Sequence, residues 1–209
     1  KQALVKTLDF QLDIQSGNES LLYDACIESR KVYKETIRLA KEGVDWDTIP
    51  DRVADDTALV KNTTQRVVAK ALQTMENYYE HDDFNQPSHT KDGTYPLRSN
   101  YEEGYNLFLT DDGSVAFRIS AKPYRHVEGL LKGSDAHLDI LRTGLTSDEW
   151  EIGTAEALFH NDTPELHVNI TNTEQTVRDK QESRTVVGVD VNEDNVALTA
   201  LSKGDVEDT

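Results

Sequence analysis

Sulfur is almost absent from this 209-residue chain, which has one cysteine, Cys26, and one methionine. A lone thiol excludes an intrachain disulfide framework, and a reducing, cytoplasmic setting is the default expectation. No apolar run approaches the roughly 18 residues that a membrane span needs. No charged-then-apolar signal segment follows Lys1. There is no Gly-rich phosphate loop, no Ser/His/Asp arrangement, no internal repeat and no low-complexity tract. The six histidines, His81, His89, His126, His137, His160 and His167, show no metal-ligand spacing with the cysteine. Basic residues are scarce too: 22 Lys and Arg stand against 39 Asp and Glu, so the net charge is 22 − 39 = −17. Mean hydropathy is low, at −0.64. Strand-like and helix-like periods nevertheless recur along the chain, so it is read as folded.

Acidity of this size argues against nucleic acid as a partner, since phosphates are repelled. It also suits a cytoplasm at very high salt, where the screening length falls to about 3 Å at 1 M. Little lysine and runs such as "ADD", "HDD" and "TDDG" are similar to proteins of halophilic archaea. On that reading local charge, rather than net charge, selects partners.

The periods that are present define an order of elements. Leu8, Phe10, Leu12 and Ile14 alternate within "TLDFQLDI", which predicts a strand over 7–14 with one buried face. Leu22, Cys26, Ser29, Tyr33, Ile37 and Ala40 recur at helical spacing and predict a helix from 19 to 42, closed by Gly43. A helical turn around Trp46, Ile49 and Val53 and a second long helix over 57–80 follow. Residues 81–104, rich in His, Asp, Asn, Pro and Gly, read as a break. Beyond it come a hairpin at 105–120 around "DDG", a strand in "RHVEGLLKG", a short helix at 135–145 and a second hairpin at 149–171. A polar connector, "NTEQTVRDKQES", leads to a third hairpin of strands 185–191 and 196–201. Trp46 and Trp150 read as core anchors.

That third hairpin holds an anomaly. In "RTVVGVDVNEDNVALTAL" the carboxylate of Asp190 interrupts a run of valines. Burying an unpaired carboxylate costs several kcal/mol, so the group must be protonated, paired or bound to a cation. Mg²⁺ takes carboxylate oxygen and keeps several waters, and two such ions clamp the oxygens of an in-line phosphodiester displacement. A carboxylate at a strand end, bonded to turn amides, is the plain alternative. Sugar-kinase and actin-type ATPases also open with a strand and an Asp, but Gly and Thr or Ser then hold phosphate. Val191, Asn192 and Glu193 stand here instead.

The stretch resembles the first RuvC motif of TnpB proteins, the OrfB-type transposon-encoded RNA-guided endonucleases, in haloarchaeal form. "KTLDFQLDIQSGNESLLYDACIESRKVYKETIRLA" is similar to that family's opening strand and helix-turn-helix-like segment, and "SDEWEIGTAEALFHNDTPELHVNIT" to the hairpin before its nuclease domain. The resemblance implies an α+β fold. A β-barrel-like domain of the wedge or OB-like kind, with its first strand in 1–14 and its remainder in 85–178, is interrupted by a helical bundle at 15–84. The first β-hairpin of an incomplete RuvC/RNase H-like domain follows at 179–209. It implies Asp190 as the first catalytic, Mg²⁺-binding aspartate, and guide RNA and target DNA as partners, with no membrane. The family's second-motif Glu, paired Cys-x-x-Cys zinc ribbon and third-motif Asp have no counterpart here, so the zinc site is absent from this chain. One Asp cannot hold two metal ions. The expectation is a fragment or truncated product that binds nucleic acid without cutting alone. A non-catalytic binding or regulatory remnant is the second reading, and a fragment of an actin-type ATPase the third.

Nucleic-acid contacts are expected along basic stripes. Arg30, Lys34, Arg38 and Lys41 are spaced 4, 4 and 3 apart on the first long helix, and Arg66 and Lys70 lie one turn apart on the second. The competing reading is a solvated face laced with ion pairs, for which Glu35, Glu42 and Glu76 are available. Lys122, Tyr124, Arg125 and His126 in "KPYRHVEG" form a third patch, whose competing reading is an edge strand protected by charge.

Overall fold

A computed structural model of the chain describes the backbone of residues 2–80, 93–177, 185–192 and 195–202, and the side chains of 4–80 and 93–173. The first element is a strand, β1 (Gln2–Ser16). Leu8, Phe10 and Leu12 are buried, while Asp9 and Gln11 between them face water. It extends beyond the predicted 7–14 because it has two partners, one along each half. Its N-terminal half pairs with β7 (Thr163–Val177) and its C-terminal half with β5 (Arg125–Lys132). The same pairing, through Gln2↔Val177, carries β7 into what the sequence reads as connector.

Helix α1 (Glu19–Lys41) starts at Asn18, whose side chain accepts the Leu21 amide at 2.7 Å, and ends at Gly43 in the left-handed region. A 3-10 turn (Trp46–Thr48) leads into α2 (Ile49–Ala54), and then into α3 (Lys61–Glu80). Helix α3 begins later than the predicted residue 57. Thr57 and the Ala58 amide are instead tied to the carboxylate of Glu28, at 3.5 and 3.4 Å.

The body is one antiparallel sheet of seven strands, in the order β2-β6-β7-β1-β5-β4-β3. Its remaining strands are β2 (Leu97–Asn100), β3 (Tyr105–Leu109), β4 (Val115–Lys122) and β6 (Trp150–His160). Strand β2 lies within the stretch read as a break. With Leu97 its only large apolar residue, it carries almost no period, and it is recruited by pairing with β6 through Leu97↔Ala157 and Ser99↔Ala155.

This order forces curvature. Strands β2 and β3 are the two edges of the sheet, yet only residues 101–104 separate them in the chain. Seven flat strands would hold their edges about 29 Å apart at ordinary spacing, while the link reaches at most roughly 18 Å when fully extended. The sheet therefore curls into a half-barrel. Across the gap, the buried Tyr105 of β3 donates its hydroxyl to the Gly153 carbonyl of β6 at 2.7 Å. Gly104 completes the link where a Cβ would collide with Ser99. Helix α4 (Asp135–Thr146) touches β6 on one side of the gap and β3 and β4 on the other, with Leu141 buried.

The sheet and the helices share one apolar core, which includes Phe10, Phe117, Leu166, Leu22, Val67 and Met75. Helices α1 to α3 enter the chain between β1 and β2 and pack on one another and on the sheet. Trp150 is buried in the core as expected, whereas Trp46 is half-buried at its margin. The observed α+β architecture, a helical segment between strands of a curled antiparallel half-barrel, agrees with the coarse expectation. Strands β8 (Thr185–Asn192) and β9 (Asn195–Ser202) form a separate two-stranded antiparallel sheet, with Asp190 opposite Ala197. Among the described residues, no helix is long and apolar enough to cross a membrane.

Candidate nucleic-acid interface

In so acidic a chain, the cations that matter are those left without a carboxylate. Many are neutralised locally. Lys31 pairs with Glu28 at 2.9 Å, Arg118 with Glu128 at 2.8 Å, Lys132 with Asp13 at 2.9 Å and Arg142 with Asp139 at 2.7 Å. Arg98 pairs with Glu156 across the strands. Of the basic residues singled out from the sequence, Lys34, Lys41, Arg66, Lys70, Lys122 and Arg125 make no ion pair among the described residues, and Arg38 does.

The guanidinium of Arg38 is held by Glu35 and Glu42, each at 2.6 Å. Its hydrogen bonds to Glu35 and then to Glu42 push its pKa up, and the same contact holds the Glu35 carboxyl below its ordinary range. For Arg38 the ion-paired helix face describes what is observed. Lys34 and Lys41 flank it on the exposed face of α1 and make no ion pair among the described residues. Together with Lys31 and Ile37 they line one shallow surface. Arg30 is half-buried at the edge of this face and does not line that surface.

Arg66 and Lys70 come together more tightly. Both lie on α3 and line a groove of about 450 Å³ that also takes in Arg98 of β2, Thr154 of β6 and Trp46. Glu76 is its acidic member and Gln73 its amide. The Nε–H of Arg66 is buried with no hydrogen-bond partner among the described residues. A buried donor left in this state costs roughly 1–3 kcal/mol, so an acceptor entering the groove gains what the fold forgoes. Two cations with no ion pair among the described residues, Arg66 and Lys70, an aromatic side chain and an unsatisfied guanidinium N–H suit a phosphate oxygen, while Arg98 enters the groove already paired with Glu156. Sequence reasoning missed Arg98 and Trp46 as members. Arg98 sits in a polar stretch without period, and only the β2–β6 pairing carries it to α3.

Lys122 and Arg125 of the third patch lie directly opposed across the β4–β5 hairpin. Neither residue makes an ion pair among the described residues, and β4 and β5 are interior strands of the sheet. The outer pairing nevertheless stops short of both residues, at Ile119 on β4 and Glu128 on β5, so charge protects the unpaired strand ends here as well as offering a contact patch. His160 and His167 each lie beside Glu165, at 3.5 and 2.9 Å. Among the described residues, no three His, Cys, Asp or Glu side chains converge as a metal site. The Asp190 backbone lies in β8, and its side chain is outside the described residues.

No protein-family model matches the sequence, and no curated protein matches it. The fold does have a counterpart among solved structures. The chain is similar to Cas12f1 as seen in a cryo-EM structure of the Cas12f1–sgRNA–target DNA complex. The TM-score is 0.54 at 9% identity, and the match covers 98% of this chain and 67% of Cas12f1. At that identity the likeness is one of fold.

Proposed function

We propose that this chain is the nucleic-acid-binding portion of a TnpB-like, RNA-guided nuclease, with guide RNA and target DNA as its partners. The observation that carries the reading is the likeness over 98% of the chain to a protein solved on sgRNA and target DNA. The groove lined by Arg66, Lys70 and Arg98 beside Trp46 supports the reading, and Lys34, Lys41, Lys122 and Arg125 would extend the phosphate contacts. Arg38 contributes little, because Glu35 and Glu42 already hold it. In this reading the half-barrel and its helical insertion bind, and the segment from about residue 179 opens a RuvC-like nuclease domain in which Asp190 offers the first metal-binding carboxylate.

Mg²⁺ fits that segment only in part. Asp190 is a single ligand, and its side chain lies outside the described residues. No catalytic step is therefore derived for this chain. A second reading, a binding protein without catalysis, needs no role for Asp190.

The test is fluorescence anisotropy with structured RNA and with duplex DNA over a ladder of KCl concentrations. The double variant Arg66→Glu/Lys70→Glu should bind RNA at least about ten-fold more weakly. Its salt dependence should flatten by roughly 0.7–0.9 for each phosphate that is no longer neutralised. Equal binding by the double variant, or no binding by the parent wherever it is folded, overturns the reading. For Asp190 the measurement is cleavage by the whole nuclease: Asp190→Ala should abolish cutting and leave RNA binding intact. Cutting that survives this change removes the nuclease role and leaves the binding protein.

A further inference from the structure

The hairpin between β4 and β5 closes with only two residues, Pro123 and Tyr124, between the opposed Lys122 and Arg125. Tyr124 has φ +60°, in the left-handed region. Proline followed by a positive φ matches a type II turn, in which glycine is the default third residue because any Cβ is strained there. Tyr124 is also 98% exposed, whereas among the described residues the next most exposed large apolar side chain, Val5, is at 60%. Neither backbone geometry nor core packing therefore accounts for a tyrosine at this position.

The base of the hairpin is held firmly. Strand β1 pairs with β5 up to Ser16↔Glu128. Gly17 then presses so closely on the His126 carbonyl that a Cβ would sit 2.6 Å from it. Ser120 and His126 are bonded across the two strands at 3.3 Å. The tip thus presents an aromatic ring on a rigid stem. Its charge is also of one sign. Residues 118–127, "RISAKPYRHV", contain no carboxylate, although 39 of the 209 residues are acidic.

We propose that Tyr124 is a stacking platform for an unpaired nucleobase, with Lys122 and Arg125 set to meet the phosphates on either side. An exposed aromatic face between two cations matches the way single strands are held: stacking is open to every base, and the cations follow the backbone. A duplex keeps its bases stacked internally and offers the ring nothing. The inference rests on the nucleic-acid-binding reading above and specifies that the strand meeting this tip is single-stranded.

The experiment compares the parent with Tyr124→Gly, Tyr124→Phe and Tyr124→Leu, using single-stranded RNA, single-stranded DNA and duplex DNA, each single strand carrying one 2-aminopurine. Glycine suits the positive φ, so Tyr124→Gly should keep or raise the melting temperature. Its single-strand affinity should nevertheless fall at least about five-fold, the lower end of what one base–aromatic stack supplies. Tyr124→Phe should stay within about two-fold of the parent, and Tyr124→Leu should behave like the glycine variant. Quenching of 2-aminopurine by the parent and not by Tyr124→Gly would report the stack itself. The RNA and DNA arms show which strand is preferred, and either preference supports the inference. Unchanged single-strand affinity and quenching in Tyr124→Gly overturn it while leaving the groove reading intact. A parent that binds no nucleic acid overturns both. Anionic vesicles are tested in parallel: Tyr124-dependent vesicle binding with oligonucleotide binding unaffected would assign the tip to a membrane surface and also overturn it.

Discussion

Gly17 shows how much one residue decides. Its φ is +74°, and a Cβ would come within 2.6 Å of the His126 carbonyl oxygen. Gly17→Ala should therefore destabilise the fold by about 2 kcal/mol or more, read as a lower denaturant midpoint with an unchanged slope. Glu28 is decided by its neighbours. Burial pushes its carboxyl up, but Lys31, the Ala58 amide and Thr57 together outweigh this and hold it below its ordinary value. A depressed carboxyl contributes stability that is complete above its unfolded value, about 4.3, and is lost as the pH falls through the folded value. Glu28→Gln should thus be less stable than the parent at neutral pH, and the gap should narrow as the pH drops below about 4.3, measured by paired thermal melts. At this scale the sequence was partly readable. The spacing of Lys34, Arg38 and Lys41 placed them on one helix face. It did not show that Glu35 and Glu42 occupy Arg38 alone, because that depends on side-chain rotamers.

Elements were legible wherever their period was strong. Helices α1 and α4 and the core of β1 follow from apolar spacing and caps, since burial of one face selects residues at 3.6 or 2. Strand β2 was not legible, because four residues with one large apolar side chain carry no usable period. It exists because β6 offers a partner, and it closes the groove that holds Arg66 and Lys70. The near-closure of the sheet is likewise a matter of pairing and can be tested at Tyr105. Burial and its neighbour Tyr101 push the Tyr105 phenol up, and its hydroxyl bonds the Gly153 carbonyl across the gap. Tyr105→Phe should cost about 1–2 kcal/mol by orphaning that carbonyl. It should also speed amide exchange along β3 and β6 ahead of the central strands.

For the whole molecule the governing quantity is a net charge of −17. Self-repulsion of this size destabilises a compact state in dilute buffer and is screened at molar salt. The melting temperature should rise between dilute and molar KCl, and a flat profile would count against a halophilic design. The same salt weakens phosphate binding by counterion release, so the window for RNA binding lies where the fold is screened enough to persist and the groove is not yet screened out. Binding should accordingly peak at intermediate salt, measured by anisotropy across the same ladder.

Composition and period alone determined a mixed helix-and-strand chain, two long helices after an opening strand, a β-rich body and a set of basic residues on helix faces. Each of these is a local pattern, imposed by which side of an element is buried. Only the tertiary structure decided that the sheet curls, that Arg98 and Trp46 join Arg66 and Lys70, and that a strained tyrosine stands clear of the surface. The curl and the groove arise from pairing between residues far apart in the chain, such as Arg98 with Glu156 and Gln11 with Lys132. Long-range pairing depends on which strands meet, and no single window of sequence contains both partners.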